Sequence, residues 1–217
     1  MRAARMRPTL EGAWEGVEWE QAGTLELTHF RPEGSAHRPR TSAKLLYDDQ
    51  GLFGMFRVED RYVRCVRTGY MAPVYKDSCV EFFVQPGPGK GYFNFEFNCG
   101  GALLCSYITA PVRVPGGFRE FTGLSGEECR QVAVYHSMPA IVDPEIAGPV
   151  AWALEFFVPF PLLEKYAGPF GRVRGREWRA NFYKCADETS HPHWASWSPV
   201  DELNFHLPRC FGTLEFR

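Results

Sequence analysis

Two glutamates carry the chemistry most open to physical argument in this chain. Glu81 lies in CVEFFVQ and Glu96 in YFNFEFN, two alternating runs joined by PGPGKG. Val80, Phe82 and Val84 share one face of the first run, and Phe93, Phe95 and Phe97 share one face of the second. Alternation with period two is the signature of a strand. Both apolar faces must meet the same core, because a one-residue slip would turn one of them outward. Opposed residues then sum to an odd number, and a turn centred near Pro88 and Gly89 gives 177, which sets Glu81 opposite Glu96 and Phe83 opposite Asn94. Like charges so placed stand about 5 Å apart at Cβ and destabilise a sheet. Relief can come from a cation on a neighbouring strand, with Arg179 or Lys184 as candidates, or from a polyol whose hydroxyls the acids and amides bind. A glycosidase acid pair is a third arrangement, since retaining enzymes hold their carboxyls about 5–5.5 Å apart. A bound Ca²⁺, which takes carboxylate and carbonyl oxygens, is a fourth, and a different register would dissolve the problem.

Sugar rings have apolar faces and polar rims, so their sites combine flat aromatics with hydrogen-bonding groups. Tyr75, in APVYKDS, sits just before the Glu81 run. Trp194, Trp197 and Phe205 lie in a Pro-punctuated tail, where loops at the rim of a scaffold tend to carry binding side chains. Trp197 would line such a site, support it from behind, or cap the core. The run WRANFYKC places Arg179, Asn181, Tyr183 and Cys185 on one side of a further strand. His191, His193 and His206 have no cysteine partner at zinc spacing, so loop hydrogen bonding is expected of them. The sequence contains no G-x-S-x-G, P-loop, G-x-G-x-x-G or H-E-x-x-H motif.

The elements that must position these residues are strands. Gly and Pro recur between short apolar or alternating runs, which predicts strands at 24–28, 43–47, 52–58, 79–85, 92–98, 102–108, 131–136, 151–158, 179–185 and 212–216. One short helix is predicted at 161–166, where Pro161 suits a first turn. Ten strands in 217 residues, 45% of them hydrophobic, predict an all-β chain folded as a single antiparallel β-sandwich of immunoglobulin or jelly-roll-like layers. A net charge of −2 with no concentrated basic run excludes nucleic acid as the main partner. No apolar run approaches a membrane span. The start MRAARMRPTLEG has no apolar core of a secretory leader, so a cytoplasmic location is expected, with the cell envelope or secretion as the alternative. Seven cysteines, odd in number and never in C-x-x-C, are expected to stay reduced.

Four motifs in order, AKLLYDDQGLFGMFRVED, VYKDSCVEFFVQP with GYFNFEFN, WALEFFVPFPLL and the terminal P..FG.L.F, resemble the carbohydrate-binding module family 9-like proteins of the DOMON-like β-sandwich group. The resemblance covers residues 14–217 and sets 1–13 apart as an N-terminal extension. It implies a sugar held between two aromatic rings, whose places fall at Tyr75 and Phe205, neither of them the tryptophan those binders use. It implies that Glu81 accepts from sugar hydroxyls, that Glu96 replaces a basic residue, and that Asn181 and Tyr183 stand where the binders present polar groups. Structural calcium is implied too, with Asp48, Asp49 and Asp60 as candidate ligands, although turn chemistry accounts equally well for the first two. The expected function is non-catalytic binding of a carbohydrate or polyol by an aromatic clamp over an acid-lined cleft, accessory to polysaccharide breakdown. The alternatives are a glycoside hydrolase using Glu81 and Glu96, and an interaction domain with a degenerate pocket.

Overall fold

The computed structural model describes residues 1–89 and 91–217. Nine strands bear on the site: β1 (Arg40–Tyr47), β2 (Gly51–Asp60), β3 (Cys79–Gln85), β4 (Tyr92–Asn98), β5 (Ser106–Val114), β6 (Gly117–Gly123), β7 (Val150–Pro159), β8 (Glu177–Cys185) and β9 (Trp194–Ser196). Two helices accompany them, α1 (Gly126–Cys129) and α2 (Phe160–Ala167). One sheet runs from the parallel edge Arg2–Ala3 through β1, β2 and β7 to Ala133–His136. The other runs β6, β5, β4, β3, β8, β9 and then His29–Phe30, with Leu103–Leu104 on β4 and Gly212–Glu215 on β8. The molecule is an all-β sandwich. The β3–β4 register is the one the apolar alternation demands, with Glu81 opposite Glu96, Phe82 opposite Phe95 and Phe83 opposite Asn94.

The sheets meet through phenylalanine. Phe156 of β7 lies 5.6 Å from Phe82 and 5.2 Å from Phe97, and Phe56 of β2 lies 6.0 Å from Phe182 of β8, all between ring centroids. Both outer faces are also covered. On the first sheet Trp19, Leu46, Phe53 and Met55 form a buried cluster against Leu10 and Trp14. The N–H groups of Glu11 and Gly12 donate to the Glu155 carboxylate there (3.1 and 2.8 Å), so the N-terminal residues lie against the domain. On the second sheet Phe83, Tyr92 and Tyr183 pack under Val200, Leu207 and Phe211. The polar face of the β3–β4 pair is therefore roofed: Glu81, Asn94 and Glu96 are only 2, 2 and 4% exposed.

Where the strand prediction departs from the structure, turns are the reason. The run predicted at 102–108 divides into Leu103–Leu104 and β5, and β5 then turns back into β6. Gly116 and Gly117 make that turn at φ of 90° and 143°, backbone that only glycine adopts freely. The four-residue α1 carries a capping box, with Glu128 N–H donating to Ser125 Oγ and Ser125 N–H to Glu128 Oε2. This S-x-x-E signature is present in the sequence but short of any helical period.

Candidate functional site

The outer face of the second sheet carries an open cavity of about 820 Å³. Its floor is the opposed acids. Glu81 Oε1 accepts from Cys185 Sγ (3.1 Å) and Glu96 Oε1 from Asn94 Nδ2 (2.7 Å). The Oε2 atom of each is buried with no hydrogen-bond partner. Burial, reinforced by Cys185 and Glu96, pushes the Glu81 carboxyl well above the usual range, and burial pushes Glu96 up to about 8. At neutral pH the floor therefore holds at least one proton, and each acid keeps one buried oxygen without a hydrogen-bond partner.

Neither basic residue offered as a bridge reaches these acids. The Arg179 guanidinium donates to the carbonyls of Arg209 and Phe211. Lys184 points to the opposite face, where its ammonium meets His193 Nε2 (2.8 Å) and Asp60 Oδ2 (3.5 Å). The reason is strand alternation, which sends residue 184 to the face opposite that of residues 183 and 185.

The walls come from three directions. Tyr75 belongs to a single turn, Val74–Lys76, that leads into β3, and its carbonyl accepts from Asp187 N–H (3.1 Å). Phe205 arrives on the segment after β9. Its ring lies parallel on Tyr183 (centroids 4.0 Å apart, 10° between planes), and Tyr183 Oη donates to its carbonyl (3.0 Å). Tyr75, Phe205 and Trp194 pack on the same small cluster around Cys79 and Cys185, and all three line the cavity. The β5–β6 hairpin supplies the remaining wall, with Arg113 stacked over Phe118 at 4.2 Å.

Among the predicted site residues, Tyr75, Glu81, Glu96 and Phe205 line the cavity. Asn181, Tyr183 and Trp197 do not. Asn181 is spent on the chain itself, donating to Ser198 O and accepting from Ser198 N–H (both 2.9 Å). Tyr183 is the buried backing of Phe205. Trp197 faces the inter-sheet core, 5.9 Å from Phe182, with Gly212 beneath its ring. The polar side of β8 thus anchors the 198–211 segment. Trp194, Asp187, Arg113 and His206 line the cavity without having been assigned to it. Trp194 is fixed by its Nε1–H donating to Asp187 Oδ1 (2.8 Å), and His206, held neutral by burial to a pKa of about 3, hydrogen bonds Tyr92 Oη (2.9 Å). Trp194 was legible as a rim aromatic of the Pro-punctuated tail, whereas no local pattern distinguishes Asp187, Arg113 or His206.

The candidate calcium acids do not converge. Asp48 caps its turn, accepting from Gln50 and Gly51 N–H and from Arg7. Asp60 stands at the far end of β2, about 30 Å away at 3.3 Å per residue, and pairs with His37 (2.7 Å) and Lys184. Asp49 is exposed beside Asp48. These three residues do not fit one ion. The metal-capable group that does converge among the described residues is Cys79, Glu81 and Cys185, with donor atoms within 4.8 Å of one another under the floor. Burial lifts the Cys79 thiol to about 12 and Cys185 well above its ordinary value, so an ion there would have to displace protons from groups whose surroundings favour the neutral form.

The sequence model of carbohydrate-binding family 9 matches residues 15–216. A candidate carbohydrate-binding protein from Bacteroides uniformis ATCC 8492 is similar over 100% of this chain and 98% of its own, at 27% identity and a TM-score of 0.84. Two structures of a family 9 module from Caldicellulosiruptor kristjanssonii, in complex with glucose and with cellotriose, share the fold at 11% identity. Their TM-scores are 0.65 and 0.66, covering 100% of this chain and 95 and 93% of theirs. A search of curated proteins finds no match. With nearly its whole length matched by one family and its fold shared with members of it, this chain belongs to carbohydrate-binding family 9.

Proposed function

We propose that this protein binds a carbohydrate without catalysis, holding one sugar ring between Tyr75 and Phe205 over the Glu81–Glu96 floor. One observation carries the reading: two aromatic residues from separate segments line one cavity whose floor presents carboxyl oxygens without partners. Its volume lies within the range of small-ligand sites, about 300–1,000 Å³. The modules bound to glucose and cellotriose add support as relatives of the same family. Trp194 takes the place given to Trp197 in the sequence reading, and Tyr183 acts indirectly by setting the Phe205 ring. Such a module would assist polysaccharide breakdown by holding a chain end. Few contacts of modest strength give an affinity of about −4 to −8 kcal/mol, millimolar to micromolar.

Calorimetry with an oligosaccharide panel tests this. Tyr75→Ala and Phe205→Ala are each expected to weaken binding about tenfold, the worth of one good stacking contact. Unchanged affinity in both variants removes the clamp. The hydrolase reading needs one ionised and one protonated acid, whereas both floor acids are driven towards the protonated form. Turnover of an aryl glycoside, abolished by Glu81→Gln or Glu96→Gln, would restore it.

A further inference from the structure

We infer that the preferred ligand is a sugar carrying a free, protonated amine, whose ammonium sits between Glu81 and Glu96. The inference rests on the carbohydrate-binding reading and goes beyond it in chemical class. Four carboxyl groups line the cavity with the guanidinium of Arg113. Glu202 pairs with Arg209 and Asp187 accepts from Trp194, which leaves Glu81 and Glu96 as the acids with a buried oxygen unpartnered. That guanidinium is turned onto Phe118, and no ion pair joins Glu81 or Glu96 to any described residue. The two unpartnered Oε2 atoms belong to directly opposed residues, and both residues line the cavity.

A neutral sugar can donate hydroxyl hydrogen bonds to these oxygens, but it brings no charge to balance an ionised acid in a buried site. An ammonium supplies three donors and a full positive charge. Charge-assisted bonds of this kind are about twice as strong as neutral ones. The walls suit a cation as well, because the faces of Tyr75, Trp194 and Phe205 attract positive charge at short range. Binding would ionise the floor and release the proton it holds, so the heat of binding must depend on the buffer.

Wild-type protein is titrated at neutral pH with glucose, glucosamine, N-acetylglucosamine, cellobiose, deacetylated chitobiose and cyclohexylammonium, each in two buffers of different ionisation enthalpy. The expected result is at least tenfold tighter binding of the two amino sugars than of their hydroxyl or acetylated counterparts, with proton release on binding. Glu96→Gln is expected to erase the amine preference, read as the ratio of glucosamine to glucose affinity. Equal affinity for amino and neutral sugars in the wild type overturns the inference and leaves carbohydrate binding standing. No binding of any sugar overturns both, and so does tight binding of cyclohexylammonium alone, which would mark a cation site without a sugar site. The wild-type panel decides these outcomes even if the variant does not fold.

Discussion

At the scale of single residues, the arrangement that decides most is the Glu81–Glu96 pair. A sheet tolerates opposed acids when one holds a proton, and the roof over this face provides the burial that makes it do so. The consequence for stability has a definite sign. Glu96 titrates near 8 in the fold against 4.5 when free, so the fold prefers its protonated form. That contribution is complete below about pH 4.5 and is lost as pH rises through about 8. Melting temperatures of the unliganded protein are therefore expected to fall from about pH 6.5 to 8, and Glu96→Gln is expected to flatten the fall. An equal slope in the variant would show that the carboxyl is not the group titrating.

At the scale of elements, close approach of strands depends on small residues as much as on aromatic ones. Gly54, in the middle of β2, lies opposite Phe156 of β7, and a Cβ added there would stand 2.1 Å from that ring. Phe156 is also the ring that touches Phe82 and Phe97 across the sandwich, so it cannot withdraw without disturbing the second sheet. Gly54→Ala is expected to cost about 1–3 kcal/mol by overpacking, read as a lower urea midpoint with an unchanged m-value. The β8 strand shows how one face of an element can serve the site without touching it. Arg179, Asn181 and Tyr183 hold the segment that delivers Phe205, so their polar pattern reads in sequence like a binding face.

At the scale of the molecule, the two sheets are tied by charge as well as by phenylalanine. Asp60 ends β2 in the first sheet, Lys184 lies in β8 of the second, and His37 and His193 join them from loops, with Asp60, Lys184 and His193 buried. Lys184→Met leaves the Asp60 carboxylate buried without its cation and is expected to cost about 3–5 kcal/mol. Adding Asp60→Asn should recover part of that loss in a double-mutant cycle followed by urea denaturation. No recovery would mean that the pair is not coupled. The network also sets the acid limit. Burial and the Lys184 ammonium hold His193 neutral down to about pH 3, against 6.5 when free, so the unfolded chain binds the proton first. Stability from His193 is lost as pH falls from about 6.5 towards 3. With the floor acids acting from the alkaline side, the unliganded protein should melt highest between about pH 4.5 and 6.5.

The fold was legible without coordinates because it depends on period and punctuation. Alternation in CVEFFVQ and YFNFEFN, with one shared core, restricts opposed residues to odd sums, a turn centred near Pro88 and Gly89 selects 177, and β3 and β4 obey it. Tyr75 ahead of KDSCVEFF and Phe205 ahead of PRCFG were named through the family resemblance, from the motifs each precedes. What lies above the polar face was not. That Trp197 turns inward while Trp194 faces the cavity, and that Asn181 bonds to the chain, depends on how the 198–211 segment folds back across β8. Local sequence sets which side of a strand a residue occupies, because the backbone enforces it every two residues. Whether that side meets water, a loop or a ligand is decided by contacts between segments far apart in the chain, and only the packed molecule specifies those.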